Sequence, residues 1–233
     1  MLGQGYVCRR GELETYFDRT AADAWSRLTS DAPVGRIRAT VRAGRERMRQ
    51  TLLAWMPADL SGCRLLDAGC GTGALAIEAA RRGADVVAVD LSATLIRIGR
   101  ERMPDMRLAG RVDFRVGDML DARFGRFDYV VAMDSLIHYR SEDLAQMLAR
   151  LADRSRFGVL FTVAPRTPVL AAMHAVGRLF PRGNRAPAIV PVSDRALRRA
   201  IRSTRLLDAW RIGRTARVAS GFYTSQAMEL VPG

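Results

Sequence analysis

The sequence predicts an α/β fold, a mostly parallel sheet with helices on both faces. Three observations carry that expectation. From Cys63 to Ala164, short apolar runs alternate with runs of helical spacing. A glycine cluster, Gly69-Cys70-Gly71-Thr72-Gly73, separates the first apolar run from its helix. Asp90, Asp118 and Asp134 stand at the ends of later apolar runs. Parallel neighbours need a crossover, usually a helix, so strand–helix alternation implies a parallel sheet.

Residues 11–57 read as helical. Leu13, Tyr16, Phe17, Ala21, Ala24, Trp25 and Leu28 fall near helical spacing, and Asp31-Ala32-Pro33 breaks the run. Ile37, Val41, Met48, Leu52 and Trp55 then form one apolar stripe, with arginines elsewhere, until Pro57 and Ser61-Gly62 stop it. Strands follow at 63–68, 84–90, 111–118, 127–134 and 156–164. Between them lie helices at 71–83, closed by Gly83, at 92–103, capped by Ser92, and at 141–153, capped by Ser141. Beyond the fifth strand the spacing predicts a helix over 167–180 and a Pro/Gly-rich connection over 181–191. A helix capped by Ser193 follows, then two strands over 206–231 around a turn near Gly213. The expected organisation is a helical arm (1–58), a core (59–165), a helical cap (166–204) and closing strands (205–233).

A chain of 233 residues suits one domain with an added arm or cap, and 48% apolar residues can fill a sizeable core. No stretch of 18 consecutive apolar residues marks a membrane span, and the first residues lack the apolar run of a signal peptide, so a cytoplasmic protein is expected. Cys8, Cys63 and Cys70 match no zinc spacing, and no metal site is expected. The net charge is +13 and every basic side chain is arginine. That excess favours anionic partners, including an acidic membrane surface, but does not choose among them. Nucleic acid is not expected: neither an N-P-P-Y-like run nor a Pro-Cys nucleophile is present, and the arginines are dispersed.

The glycine cluster permits a tight turn and close approach of backbone to a ligand. Gly69-x-Gly71-x-x-Ala74 alone would also pass as a dinucleotide fingerprint. Two features favour S-adenosylmethionine. Asp67 immediately precedes the glycines, where a carboxylate suits an ammonium better than a pyrophosphate. Gly117-Asp118-Met119 follows the third strand, where Asp118 can accept from an adenine amino group and the Met119 N–H can reach a ring nitrogen. Asp90, followed by Leu91, would hold the ribose hydroxyls. Gly69 and Gly71 complete the expected cofactor set.

The run D-A-G-C-G-T-G with Asp90 and Gly117-Asp118 resembles class I S-adenosylmethionine-dependent methyltransferases over roughly residues 60–165. That resemblance implies a Rossmann-like sheet of seven strands ending in an antiparallel hairpin. A narrower likeness spans most of the chain. Tyr16-Phe17 followed by Trp25, the glycine loop, Asp134-Ser135-Leu136-Ile137-His138-Tyr139, Phe161-x-x-Ala164-Pro165-Arg166-Thr167, Leu179-Phe180-Pro181 and Gly221-Phe222-Tyr223 together resemble the magnesium protoporphyrin IX O-methyltransferases of chlorophyll and bacteriochlorophyll synthesis.

This resemblance implies methylation of a propionate carboxylate of magnesium protoporphyrin IX, with the arm over the cofactor and the cap over the porphyrin. It also implies contact with the porphyrin-binding subunit of magnesium chelatase. His138 falls on the family's catalytic histidine. The family's tyrosine after the tryptophan is replaced here by Thr29, leaving Tyr16 and Tyr139 as the available phenols. Tyr16 and Asp134 join the expected cofactor contacts, with positioning of His138 and a structural turn as the alternatives for Asp134; Tyr139, Arg166 and His174 are the expected substrate contacts. His174 is either a half-buried histidine of its predicted helix or an axial ligand, direct or through water, to the porphyrin magnesium; Arg166 would anchor the non-reacting propionate, with Arg178, Arg182 and Arg185 as alternatives. A propionate is ionised at neutral pH, so the site must mainly exclude water and align the reactants. His138 would then act as a gentle donor to the reacting carboxylate or remove a stray proton. Methylation of another small carboxylic or quinone-type substrate satisfies the same cofactor residues.

Overall fold

A computed structural model describes residues 4–20, 35–103, 108–166 and 188–233. Seven strands form one sheet in the order β3-β2-β1-β4-β5-β7-β6. The strands are β1 (Arg64–Ala68), β2 (Asp85–Asp90), β3 (Arg111–Val116), β4 (Phe127–Ala132), β5 (Ser155–Val163), β6 (Trp210–Ser220) and β7 (Tyr223–Pro232). β1 to β5 are parallel to their neighbours, while β7 runs antiparallel to both β5 and β6. This is the class I methyltransferase arrangement expected above.

The central strands are apolar on both faces because helices cover both. Leu65 and Leu66 of β1 are both buried although they point to opposite sides, and they enter two separate core clusters. Helix α3 (Ala74–Arg81) packs on one face, and Gly83, at φ +97°, ends its last turn. Helix α4 (Ala93–Glu101) starts at Ser92, whose hydroxyl accepts from the Leu95 N–H at 3.2 Å. Helix α5 (Ser141–Ala152) covers the other face, with Leu144, Met147, Leu148 and Leu151 buried. Ser141 is its first residue rather than its cap; Arg140 holds the capping position without a side-chain bond, and Glu142 and Asp143 supply negative charge to the first turn.

Two helices precede the sheet. α1 (Gln4–Thr15) begins earlier than periodicity suggested and runs into a π-helical turn, Tyr16–Thr20. α2 (Arg36–Ala54) lies against β6 and β7. Gly44 lets it sit directly on Tyr223, since a Cβ there would fall 2.5 Å from the ring.

The closing hairpin departs from expectation at Gly213. Strand β6 runs through that residue, and the turn lies at Gly221-Phe222, between the paired residues Ser220 and Tyr223. Gly213 sits in an irregularity between Ile212 and Thr215, where an added Cβ would meet the Glu229 carboxylate at 2.7 Å. That carboxylate accepts from the Arg214 backbone at 3.0 Å and from its guanidinium at 2.9 and 2.6 Å, which holds it below the usual carboxylate range. Gly221 has φ +55° and passes so close to Thr40 of α2 that a Cβ would lie 2.4 Å from its hydroxyl. Arg211, Arg214 and Arg217 line the exposed edge strand, a charge pattern that discourages edge pairing.

Helix α6 (Asp194–Arg202), within the segment expected as a cap, buries Leu197, Ala200 and Ile201 in the same core cluster as α5. The expected helix over 167–180, with His174, lies outside the described residues, as do Trp25, Thr29, Arg178, Arg182 and Arg185.

Candidate active site

The sheet order reverses between β1 and β4, which leaves a crevice at their C-terminal ends, where ligands enter open α/β sheets. A cavity of about 220 Å³ opens there. Asp67, Gly69, Gly71, Asp90, Leu91, Asp118, Met119, Asp134, His138 and Tyr139 all line it, so residues up to 72 positions apart converge.

Asp67 is 2% exposed and its Oδ2 has no hydrogen-bond partner. Burial pushes its pKa up to about 7; nearby Asp90 adds to the rise, while a backbone hydrogen bond and Arg49 oppose it. Asp67 lines the cavity, and a buried carboxylate with an unused oxygen is a receptor for a cation. Gly69, Gly71 and Gly73 all have positive φ. At Gly69 (φ +79°) a Cβ would fall 2.3 Å from the Ser135 Cβ. Gly69→Ala will therefore strain the loop and push Ser135 away, and we expect turnover to fall with the melting temperature; equal Tm and kcat would count against this fit.

Asp90 accepts from the Gly71 N–H at 2.8 Å on one oxygen and from the Ser92 N–H at 2.9 Å on the other. Burial still pushes its pKa upward. Each oxygen keeps a lone pair for a diol. Asp118 is engaged from the arm: Tyr6 donates to Oδ1 at 2.6 Å and Arg10 to Oδ2 at 3.1 Å, while the Leu120 N–H reaches Oδ1 at 2.9 Å. Tyr6 also stacks on Tyr139, with centroids 5.6 Å apart, and burial with the Asp118 contact drives its phenol pKa far up. Asp18 fastens the π-helical turn to the start of α4, accepting from Ser92 Oγ at 3.1 Å and from the Thr94 N–H at 3.0 Å.

His138 is 7% exposed. Its Nδ1 lies 3.3 Å from the Ala188 carbonyl, which can only accept, so Nδ1 carries the proton and Nε2 the lone pair. Burial pulls its pKa below the ordinary imidazole value; the Ala188 bond and Asp134 oppose this and Arg9 adds to it. Neutral His138 thus presents an acceptor at Nε2, which suits removal of a stray proton better than donation to the reacting carboxylate. Phe17 packs edge-on against its ring at 6.3 Å.

Two expected contacts fall outside the cavity lining. Tyr16 packs edge-on to Phe17 at 5.2 Å, and it is Phe17 that lines the cavity. Successive residues on a helical turn point roughly 100° apart, so only one of the pair can face inward. Arg166 follows β5, gives its backbone N–H to Val192 at 3.2 Å and exposes its side chain. Sequence reasoning missed Tyr6, Leu13, Phe17, Arg42, Arg45, Glu46, Arg49 and Ser135, all of which line the cavity. Arg42, Arg45 and Arg49 follow i, i+3, i+7 spacing, so a basic helical face was available as a signal. Tyr6 carried no such signal.

Comparison with known proteins adds to this geometry. A family profile described as magnesium-protoporphyrin IX methyltransferase C-terminus matches residues 132–232, and a general methyltransferase-domain profile matches residues 65–158. The chain is 50% identical over 229 residues to magnesium-protoporphyrin O-methyltransferase of Rhodobacter capsulatus, covering 97% of this chain and 98% of the relative. It is 30% identical to the chloroplastic magnesium protoporphyrin IX methyltransferase of Arabidopsis thaliana, covering 94% of this chain and 70% of that one. Among solved structures, magnesium protoporphyrin IX methyltransferase from Synechocystis PCC 6803 with bound SAH superposes with a TM-score of 0.83 at 27% identity, covering 96% of this chain and 100% of that one.

Proposed function

The chain belongs to the magnesium protoporphyrin IX methyltransferase family, and from that premise we propose that it esterifies one propionate carboxylate of magnesium protoporphyrin IX with a methyl group from S-adenosylmethionine. The product is the monomethyl ester, a step of chlorophyll and bacteriochlorophyll synthesis. When bound, S-adenosylmethionine supplies an electrophilic methyl group to the carboxylate oxygen. The observation that carries the reading is the buried Asp67 carboxylate, whose Oδ2 has no hydrogen-bond partner, lining the same cavity as His138.

The residues present fit that donor. Asp67 supplies the anion for the methionine ammonium. Arg49, whose charge already acts on Asp67, would supply a cation for the methionine carboxylate. Asp90 would accept from the ribose hydroxyls, with Leu91 lining the cavity beside it. Asp118 and the Met119 backbone would accept from and donate to the adenine, and Tyr6, Leu13 and Phe17, which line the same cavity, would exclude water.

The chain's task at the substrate is to keep the propionate ionised in a dry site without over-stabilising it. Burial raises a carboxylic acid's pKa, so part of the propionate would enter protonated. Neutral His138, with its lone pair on Nε2, takes up that proton and leaves a free carboxylate. A tight arginine pair on the reacting carboxylate would lower its nucleophilicity; Arg45 is already bound to Asp134 at 2.6 Å, which tempers it.

Contact with the porphyrin-binding subunit of magnesium chelatase is part of the proposal, since an apolar pigment gains from direct handover. So is a cytoplasmic protein that touches an anionic membrane surface, supported by the +13 charge. No helix among the described residues is long and apolar enough to cross a membrane. The proposal is tested with methyl-labelled donor and either magnesium protoporphyrin or metal-free protoporphyrin. Label in a porphyrin ester, favoured by magnesium, is expected. Donor binding without any porphyrin ester would return the substrate to smaller carboxylic or quinone-type acceptors.

A further inference from the structure

We infer that Asp134 is a positioning residue: with Arg45, Thr162 and Tyr223 it forms a clamp that holds the loop carrying His138, and it does not bind the methyl donor. The inference rests on the role of His138 proposed above.

Asp134 is the only non-glycine at positive φ among the described residues, at +56°. Aspartate tolerates this region better than most side chains, but the conformation still needs support. Support comes from three directions. The Asp134 N–H donates to Thr162 Oγ1 of β5 at 2.7 Å, and that hydroxyl donates back to Oδ1 at 3.2 Å. Arg45 of α2 donates to Oδ2 at 2.6 Å. The Tyr223 hydroxyl of β7 lies 3.1 and 3.2 Å from the two carboxylate oxygens, with Ser225 Oγ at 3.4 Å. The Asp134 side chain is 5% exposed. A carboxylate offers about four acceptor directions, and these donors use them. Little remains for a cofactor, so of the roles the sequence left open for Asp134 the geometry favours positioning of the histidine loop.

The loop leaving this clamp shapes the site at two points. Ser135 donates to the Ala68 carbonyl at 2.7 Å and occupies the space that only a glycine at position 69 leaves open. His138 follows three residues later and lines the cavity. The clamp therefore ties the arm helix and the closing hairpin to the group that faces the reacting carboxylate, although Arg45 and Tyr223 each lie 89 residues from Asp134.

The test uses the full chain and four variants: Asp134→Asn, Tyr223→Phe, His138→Gln and the double variant Asp134→Asn/His138→Gln. For both clamp variants kcat is expected to fall on the order of tenfold to a hundredfold, because small misplacements of an aligned group cost rate. The dissociation constant for S-adenosylmethionine, measured by calorimetry, is expected to stay unchanged. In the double variant the Asp134 change is expected to add little to the loss caused by His138→Gln, as required of groups acting through one another. Tyr223→Phe removes one oxygen and keeps the ring, so it carries the test should Asp134→Asn fail to fold. Donor affinity lost in step with turnover would make Asp134 a ligand and overturn the inference, as would full multiplication of the two losses. Normal turnover in both clamp variants while His138→Gln is impaired would overturn the clamp alone. Normal turnover in His138→Gln would instead remove the role of His138, and the clamp's purpose with it.

Discussion

Asp67→Asn will weaken S-adenosylmethionine binding by about a hundredfold, on the order of 3 kcal/mol, the range found when one partner of a buried charge pair is removed. The side chain is 2% exposed and its Oδ2 has no partner within the chain. An asparagine keeps the shape but loses the charge that an ammonium requires. The pH dependence gives the same prediction a second readout. Burial pushes the Asp67 pKa up to about 7 in the ligand-free protein, so the ionised form that binds an ammonium is lost as pH falls below that value. Donor affinity should then drop by about tenfold per pH unit below 7 and level off above it. Asp67→Asn should flatten this profile.

Stability moves in the opposite sense. The folded pKa lies above the ordinary aspartate value near ~3.9. Between these values the folded chain holds a proton that the unfolded chain has released. The contribution to stability is fully present below the unfolded pKa and is lost as pH rises through about 7. Ligand-free Asp67→Asn should therefore melt above the parent protein at pH 8 and close to it at pH 4. Calorimetric titration and thermal melts across that range check both signs. An affinity indifferent to pH and to the substitution would place the ammonium elsewhere.

His138→Ala is expected to reduce kcat on the order of a hundredfold at neutral pH, within the usual range for losing a positioned acid–base group. The expected loss is smaller than for a reaction in which a base must break a strong bond, because most propionate in water is already ionised. What His138 supplies is the last proton removal inside the site. Its pKa is pulled down by burial, so it is neutral at working pH, and the Ala188 carbonyl holds its proton on Nδ1. Higher pH removes the proton from a bound propionate whose pKa the dry site has raised, so the variant should regain much of its rate by pH 9. Single-turnover rates against pH decide the matter. A loss independent of pH would assign His138 to orientation rather than proton removal.

The expected fold was legible because its signals are local. Apolar runs bounded by glycines, Ser92 and Ser193 as helix caps, and carboxylates at successive strand ends each need only a few neighbouring residues to be read. Strand ends β1, β2, β3 and β4 converge by the geometry of a parallel sheet, so Asp67, Asp90, Asp118 and Asp134 were placed in one site before any contact was known.

Other features depend on groups far apart in the chain. Gly213 and Gly221 both permit a turn; the register of β6 on β7 closes at Ser220 and Tyr223 and so puts the turn at Gly221, with Glu229 packed beside Gly213 and Thr40 beside Gly221. Tyr6 reaches Asp118 across 112 residues, and Arg45 reaches Asp134 across 89. Phe17 faces the cavity in place of Tyr16 because the preceding helix ends in a π-helical turn. By itself the sequence determined which chemistry could gather at the strand ends, since period and turn residues act over short range. Only the tertiary structure decided which oxygen of each carboxylate stays available. That depends on packing and hydrogen-bond saturation between distant elements: Asp134 is filled by its own fold, and Asp67 keeps one buried oxygen without a partner.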